Sequence, residues 1–313
     1  MSEAAEPNPP SNPLASVPAG RPRRLVYLGT PHVAVAPLRA LVESGFEIAL
    51  VVTRPDKRRG RGSELSPSPV KAAALELGLP VAHDVEAVLD VDADLGVVVA
   101  FGRLIRRPVL EQLAMVNLHF SLLPRWRGAA PVERVLLAGD EITGVCLMQL
   151  EEGLDTGPVF ATIVVDVAPD ATLASLRDEL VDLGTTMLIE QLADGLGAPV
   201  PQQGKATYAA KIGPAELHID WARPAIEIDR LVRLGGAWTT FRGKRLKIIA
   251  ATLLVGTDRG APERKPGTID GAVVATGGGA LSLVQVQPEG KPTMTVDAWR
   301  NGARPGADDW LGR

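Results

Sequence analysis

Cysteine is nearly absent from this 313-residue chain; Cys146 stands alone, so no internal disulfide can form. The four histidines, His32, His83, His119 and His218, are dispersed and no Cys/His cluster has zinc spacing, so no metal is expected. There is no apolar run of about 18 residues, which excludes a membrane-spanning helix from the expectations. The first apolar run is not followed by Gly-x-Gly-x-x-Gly, which disfavours a dinucleotide cofactor. Positive charge is not in excess either. Lys and Arg number 33 against 37 Asp and Glu, a formal charge of −4, with an isoelectric point near 5.7. That excludes a globally basic nucleic-acid coat while leaving room for local basic patches.

What is present suffices for a core. The chain is 46% hydrophobic and 22% charged, which rules out a disordered or fibrous protein. At roughly 150 residues per domain, about two domains are expected. Residues 1–22 lack a signal-peptide apolar region, carry Glu3 and Glu6, and hold six prolines. They read as a disordered tail. The composition points to a soluble, cytoplasmic protein, and nothing suggests more than a monomer.

From residue 24 the pattern is orderly. An apolar strand over 24–29 ends at Gly29-Thr-Pro31 and leads to a helix opened near Pro37. Further strands are expected at 48–52, 95–100, 115–119, 145–150 and 160–165, with helices near 108–113, 131–137 and 172–192. Ser68-Pro69 reads as the cap and first residue of another helix. Alternation of this kind means an α/β, Rossmann-like, mostly parallel sheet with helices on both faces. Texture changes after Asp194, where Gly, Pro and Gln become frequent. Short β-like runs follow at 246–250, 268–269, 273–275 and 281–286, separated by turns such as Gly277-Gly-Gly279, and suggest a small OB-like β-barrel. The divisions expected are thus a tail over 1–22, a catalytic domain over 23–205, a linker over 206–216 and a barrel domain over 217–313.

Candidate chemistry concentrates between Met115 and Pro158. Asn117 and His119 stand two apart on a strand and so share a face. The loop that follows leaves the carboxyl end of a parallel sheet, where such sheets place ligands. One strand later, Gly153-Leu-Asp155-Thr-Gly157 offers a carboxylate in a turn-rich segment. If the loops meet, an amide, an imidazole and a carboxylate can share the work of acyl transfer. Singly, each signal is weak. An Asn-x-His on a strand is more often hydrogen-bonded structure, and an Asp before Thr-Gly is as often a turn residue.

The strings Asn117-Leu-His119-Phe-Ser-Leu-Leu-Pro124 and Gly153-Leu-Asp155-Thr-Gly157, in that order, resemble the signature of folate-dependent formyltransferases. Arg54-Pro-Asp-Lys57, Gly60-Arg-Gly62, Pro67-Ser-Pro-Val-Lys71, Pro124-Arg-Trp-Arg-Gly-Ala-Ala-Pro131, Ile219-Asp-Trp221 and Pro266-Gly-Thr-Ile269 extend the likeness over most of the chain. They point within that family to members acting on tRNA. Phe120 departs from the pattern, since a small residue is commoner there, and its ring is expected to narrow the entrance.

The resemblance implies that 10-formyltetrahydrofolate donates a formyl group to the α-amine of methionine carried by initiator tRNA. It implies His119 as base and acid, Asn117 as oxyanion donor and Asp155 as the group orienting the imidazole. An imidazole near pH 6.5 suits an amine titrating near 8. By the same likeness Ser121, Leu122, Leu123 and Pro124 belong to the folate site, with Phe101 and Gly102 as a pterin wall, though ordinary core packing is an equal reading for Phe101. Two cationic segments would meet tRNA: Arg54, Lys57, Arg58, Arg59 and Arg61 in the first domain, and Arg242, Lys244, Arg245 and Lys247 in the second. Charged loops alone are more often plain solvated surface. The same core also serves formyltransferases for sugar nucleotides or purine precursors and formyl-folate hydrolases, and a non-catalytic RNA-binding relative is the reading from another class.

Overall fold

The first apolar run forms β1 (Arg24–Gly29), buried from Leu25 onward, as a strand covered on both faces must be. In this computed structural model, residues 13–58, 65–254, 264–306 and 309–313 are described. The chain continues through α1 (Val35–Glu43), β2 (Glu47–Val52), a hairpin of β3 (Lys57–Arg58) and β4 (Leu65–Ser66), α2 (Pro69–Glu76), β5 (Val81–Ala82) and β6 (Leu95–Val99). Then come α3 (Arg107–Leu110), β7 (Met115–His119), β8 (Arg127–Gly128), α4 (Pro131–Ala138), β9 (Ile142–Gln149), β10 (Val159–Asp166), α5 (Leu173–Asp194) and β11 (Tyr208–Ala209). Among the described residues no helix is long and apolar enough to cross a membrane.

Two compact units emerge. Among the described residues, the first comprises 13–58, 65–129, 143–165 and 178–208. Its seven-stranded sheet runs β10-β9-β7-β6-β1-β2-β5. The β1–β2, β1–β6, β2–β5 and β6–β7 ladders are parallel, whereas β7–β9 is antiparallel. Because side chains alternate along a strand, β1 serves both faces. Val26 and Leu28 pack with Val109 and Leu110 of α3, while the Tyr27 hydroxyl donates to the Ala34 carbonyl just before α1 (2.6 Å). The α2 helix starts as its sequence signals: Ser68 Oγ accepts from Lys71 N, with Pro69 in the first turn. On α5, Gly184 permits close approach to the sheet, since a Cβ there would lie 3.0 Å from Val145 and 3.2 Å from Leu118.

Among the described residues, the second unit comprises 130–142, 166–177, 209–254, 264–306 and 309–313. It adds α6 (Ala225–Arg233), β12 (Trp238–Phe241), β13 (Lys244–Leu254), β14 (Ile269–Asp270), β15 (Val273–Ala275), β16 (Ala280–Pro288), β17 (Met294–Thr295) and α7 (Val296–Ala303). The strands form an antiparallel sheet in the order β12-β13-β16-β15-β14, with β17 on β16. Among the described residues no ladder joins β12 to β14. Its core gathers Trp221, Ile228, Val232, Phe241, Ile248, Leu283, Val286 and Trp299.

Three features depart from the sequence reading. Residues 1–12 lie outside the described residues, but the rest of the expected tail is not loose. Leu14 packs against the β1–α3 core cluster and Ala15 N donates to Leu110 O (2.8 Å). The proline average of the whole segment hid two residues able to satisfy an apolar surface and a carbonyl. The 206–216 segment is no free linker either, since Tyr208 and Ala209 pair as β11 with β8. Finally, α6 and α7 interrupt what was read as a run of strands. Their apolar stripes, such as Ala225, Ile228 and Val232, are diluted by charge and went unread.

Candidate active site

The β7 strand delivers Asn117 and His119 to one face, and both are buried, at 8% and 5% exposure. Burial of such groups demands partners. The antiparallel β7–β9 ladder sets His119 opposite Cys146 and Asn117 opposite Met148. The chain therefore leaves β9 beside the start of β7, where Leu150 N donates to Met115 O (2.8 Å). The acidic loop then returns to the imidazole. Asp155 Oδ2 lies 3.6 Å from His119 Nδ1, so the expected convergence of these two side chains is present.

The other ring nitrogen fixes the tautomer. His119 Nε2 lies 3.0 Å from the Trp126 carbonyl, and a carbonyl only accepts, so Nε2 carries the proton in the neutral ring. Nδ1 is left with its lone pair, facing the carboxylate. Burial pushes the His119 pKa below 6.5, while the charge of Asp155 and the bond to Trp126 pull it partly back. The imidazole is consequently neutral near pH 7 and able to take a proton.

Asp155 is itself held in an uncommon geometry. Its φ is +51°, as is suited to a short polar side chain. Oδ2 accepts Gly128 N at 2.7 Å, and its carbonyl accepts from Gln202 Nε2 at 2.8 Å. Trp126 also has positive φ (+62°), and its N–H donates to Thr207 Oγ1 (2.9 Å). Sequence reasoning missed Gln202 and Thr207. They lie in a Gly/Pro/Gln-rich stretch whose composition signals only irregular chain.

The folate candidates divide. Leu122, Leu123 and Pro124 are half-buried, with a cis bond between the last two, and Gly102 (φ +72°) borders open space. These four can present apolar surface to a flat heterocycle. Two others cannot. Ser121 has no exposed surface, and its hydroxyl donates to Arg125 O (2.6 Å), shaping the loop. The Phe101 ring is 5% exposed and packs in the core with Val98 and Ile105. Phe120 is likewise buried, at 8% exposure.

The cationic candidates divide as well. Lys57 and Arg58 are exposed on β3, paired with Ser66 and Leu65. Arg54 is half-buried, and the adjacent Asp56 is held by Lys71 Nζ (2.8 Å). Arg59 and Arg61 lie outside the described residues. In the second unit Lys244 and Arg245 are exposed and Lys247 half-buried. Arg245 lies 4.4 Å over the Trp238 ring, which His218 also meets at 4.5 Å. Arg242 is the exception. Its Nε donates to Asp309 Oδ1 (3.0 Å), Nη2 to Asp309 Oδ2 (2.5 Å) and Arg304 O (3.2 Å), and Nη1 to Ala303 O (3.0 Å). That guanidinium fastens the C-terminal segment and has little left for phosphate. Among the described residues no group of three or more His, Cys, Asp or Glu side chains could hold a metal ion.

Comparison with known proteins places the chain in a family. Residues 23–192 match the formyl transferase family and residues 211–304 the formyl transferase C-terminal domain. A methionyl-tRNA formyltransferase of Symbiobacterium thermophilum is 43% identical over 89% of this chain and 92% of its own. Another, from Roseobacter denitrificans, is 44% identical over 90% and 96%. Among solved structures, an N-formyltransferase of Helicobacter canadensis, in complex with folinic acid and dTDP-3-aminofucose, superposes with a TM-score of 0.61. Its identity is 16%, covering 83% of this chain and 98% of that one, and it speaks to the fold alone. On the two matched domains and these relatives, the chain belongs to the formyl transferase family.

Proposed function

We propose that this protein formylates the α-amine of methionyl initiator tRNA with 10-formyltetrahydrofolate as donor, in the cytoplasm and as a monomer. The observation that carries the chemistry is the buried His119–Asp155 pair, 3.6 Å apart, on a chain whose relatives share its length.

A bound formyl-folate supplies an electrophilic carbonyl carbon. His119 Nδ1 takes the proton from the attacking amine, since Nε2 is committed to Trp126 O. As the ring becomes positive, the Asp155 carboxylate beside Nδ1 stabilises it. The Asn117 amide, on the same face of β7, donates an N–H to oxygen as it gains negative charge, without adding a charge of its own. Protonated His119 then returns its proton to the leaving nitrogen. Leu122, Leu123, Pro124 and Gly102 are the surfaces suited to the donor. Lys57, Arg58, Lys244, Arg245 and Lys247 supply cations for phosphates, and Trp238 supplies a ring beneath Arg245. In this assignment residues 23–205 hold the chemistry and 217–313 grip the tRNA.

The experiment is formyl transfer with charged initiator tRNA, charged elongator tRNA and no RNA. Formylated product only with the initiator supports the proposal. Equal formate release without RNA would overturn it in favour of a hydrolase.

A further inference from the structure

Gln202 joins the two loops that flank His119. Its Nε2 donates to both Asp155 O and Gly157 O, each at 2.8 Å. Its Oε1 accepts from Arg127 Nε (3.1 Å) and Nη2 (2.6 Å). A primary amide has two N–H donors and two acceptor lone pairs, and here all four are used. The loops so joined are the ones that touch the imidazole. Trp126, preceding Arg127, supplies the carbonyl that accepts from Nε2, and Gly128, following it, donates to Asp155 Oδ2. Reciprocal backbone bonds between Val159 and Val200 (2.8 Å each) anchor the segment carrying Gln202. Asp155 at φ +51° and Trp126 at φ +62° are backbone states that persist only when their surroundings over-determine them.

We propose that Gln202 is a positioning residue for the formyl transfer. It acts through Asp155, by holding that residue's loop against the Trp126–Gly128 loop with His119 between them. This rests on the assignment of His119 and Asp155 to catalysis. An interaction that sets the separation of two groups can matter as much as the groups, because a displacement of about 1 Å costs up to ~100-fold in rate.

The experiment uses the full chain and four proteins: wild type, Gln202→Met, Asp155→Asn and the double variant. Methionine keeps the length of the side chain and removes all four hydrogen bonds. The expected result is a fall in kcat of about 10–100-fold for Gln202→Met, with KM for tRNA within about twofold and the melting temperature nearly unchanged. In the Asp155→Asn background the same change should cost under about threefold, since the residue through which it acts has already lost its charge. NMR titration of the His119 ring should move to lower pH in Gln202→Met, as the carboxylate drifts away. Gln202→Glu, which keeps the Arg127 contact but turns two donors into acceptors, should be at least as impaired. Wild-type turnover in Gln202→Met, or an equal loss with and without the Asp155 charge, overturns the positioning role. Full activity of Asp155→Asn would instead overturn the underlying catalytic assignment, so the two failures are distinguishable.

Discussion

Oδ2 of Asp155 lies 3.6 Å from Nδ1 of His119, and the same oxygen accepts the backbone N–H of Gly128 at 2.7 Å. One carboxylate oxygen is thus pinned from the main chain and aimed at a ring nitrogen whose tautomer Trp126 has already chosen. The arrangement determines which histidine nitrogen is basic, and that makes the mechanism testable at single atoms.

His119→Ala should lower kcat by about 10²–10⁴-fold, the usual range for removing a general base, with tRNA affinity changed less than about threefold. Steady-state kinetics beside a filter-binding isotherm reads both. Wild-type turnover would remove His119 from the chemistry.

The pH dependence follows from the direction of its shift. Turnover needs neutral His119, whose pKa burial holds below 6.5. Activity should be full above that value and decline as pH falls through the lowered pKa. The carboxylate of Asp155 pulls the pKa upward, so Asp155→Asn should shift the acid limb to still lower pH while reducing the plateau. A kcat/KM profile from pH 4.5 to 8 tests this, and an upward shift would contradict it.

Asn117→Ala should cost about 10²–10³-fold in kcat with little change in KM, as expected for a donor engaged only when negative charge develops. A change confined to KM would assign Asn117 to ground-state binding.

Among the cations of the second unit, Lys244→Ala, Arg245→Ala and Lys247→Ala should each weaken tRNA binding. Each should reduce the log–log salt slope by about 1. Arg242→Ala should leave that slope unchanged but loosen the C-terminal segment, because its donors are occupied by Asp309, Ala303 and Arg304. Asp309 should show the loss too. Arg242 holds its pKa down to about 2, so the carboxylate's stabilising contribution is complete above its ordinary value near 3.8 and vanishes as pH falls through 2. Affinity across a salt series, with limited proteolysis of the C-terminus, separates the two behaviours.

Gly144→Ala tests the packing beneath the Leu122 surface. A Cβ at this strand position would lie 1.9 Å from Ile163 O and 2.6 Å from Leu122 Cδ2. Overpacking of this sort should destabilise by about 1–3 kcal/mol, read by urea denaturation, and should raise KM for the folate donor.

The residues proposed to do the chemistry were visible in the sequence because local chemistry put them there. Period-two spacing placed Asn117 and His119 on one face before any fold was known, and continuous apolar runs such as 24–29 announced a parallel sheet. Caps were equally local: Ser68-Pro69 opens α2 in the structure as its residues require. Net charge was informative once resolved along the chain, though it could not say which arginines were free. That was a tertiary matter, since Arg242 meets Asp309, 67 residues away, only in the folded chain. The same holds around the imidazole. His119 reaches Trp126 through a loop, Asp155 through a hairpin and Gln202 through the folding back of a stretch that composition marks as featureless. Strand and helix periods are imprinted by neighbours a few residues apart. The tautomer rests on Trp126, only seven residues from His119, but the pinning of the strained loop depends on pairs 27 and 75 residues apart, Gly128 with Asp155 and Arg127 with Gln202, and only the closed fold brings these together.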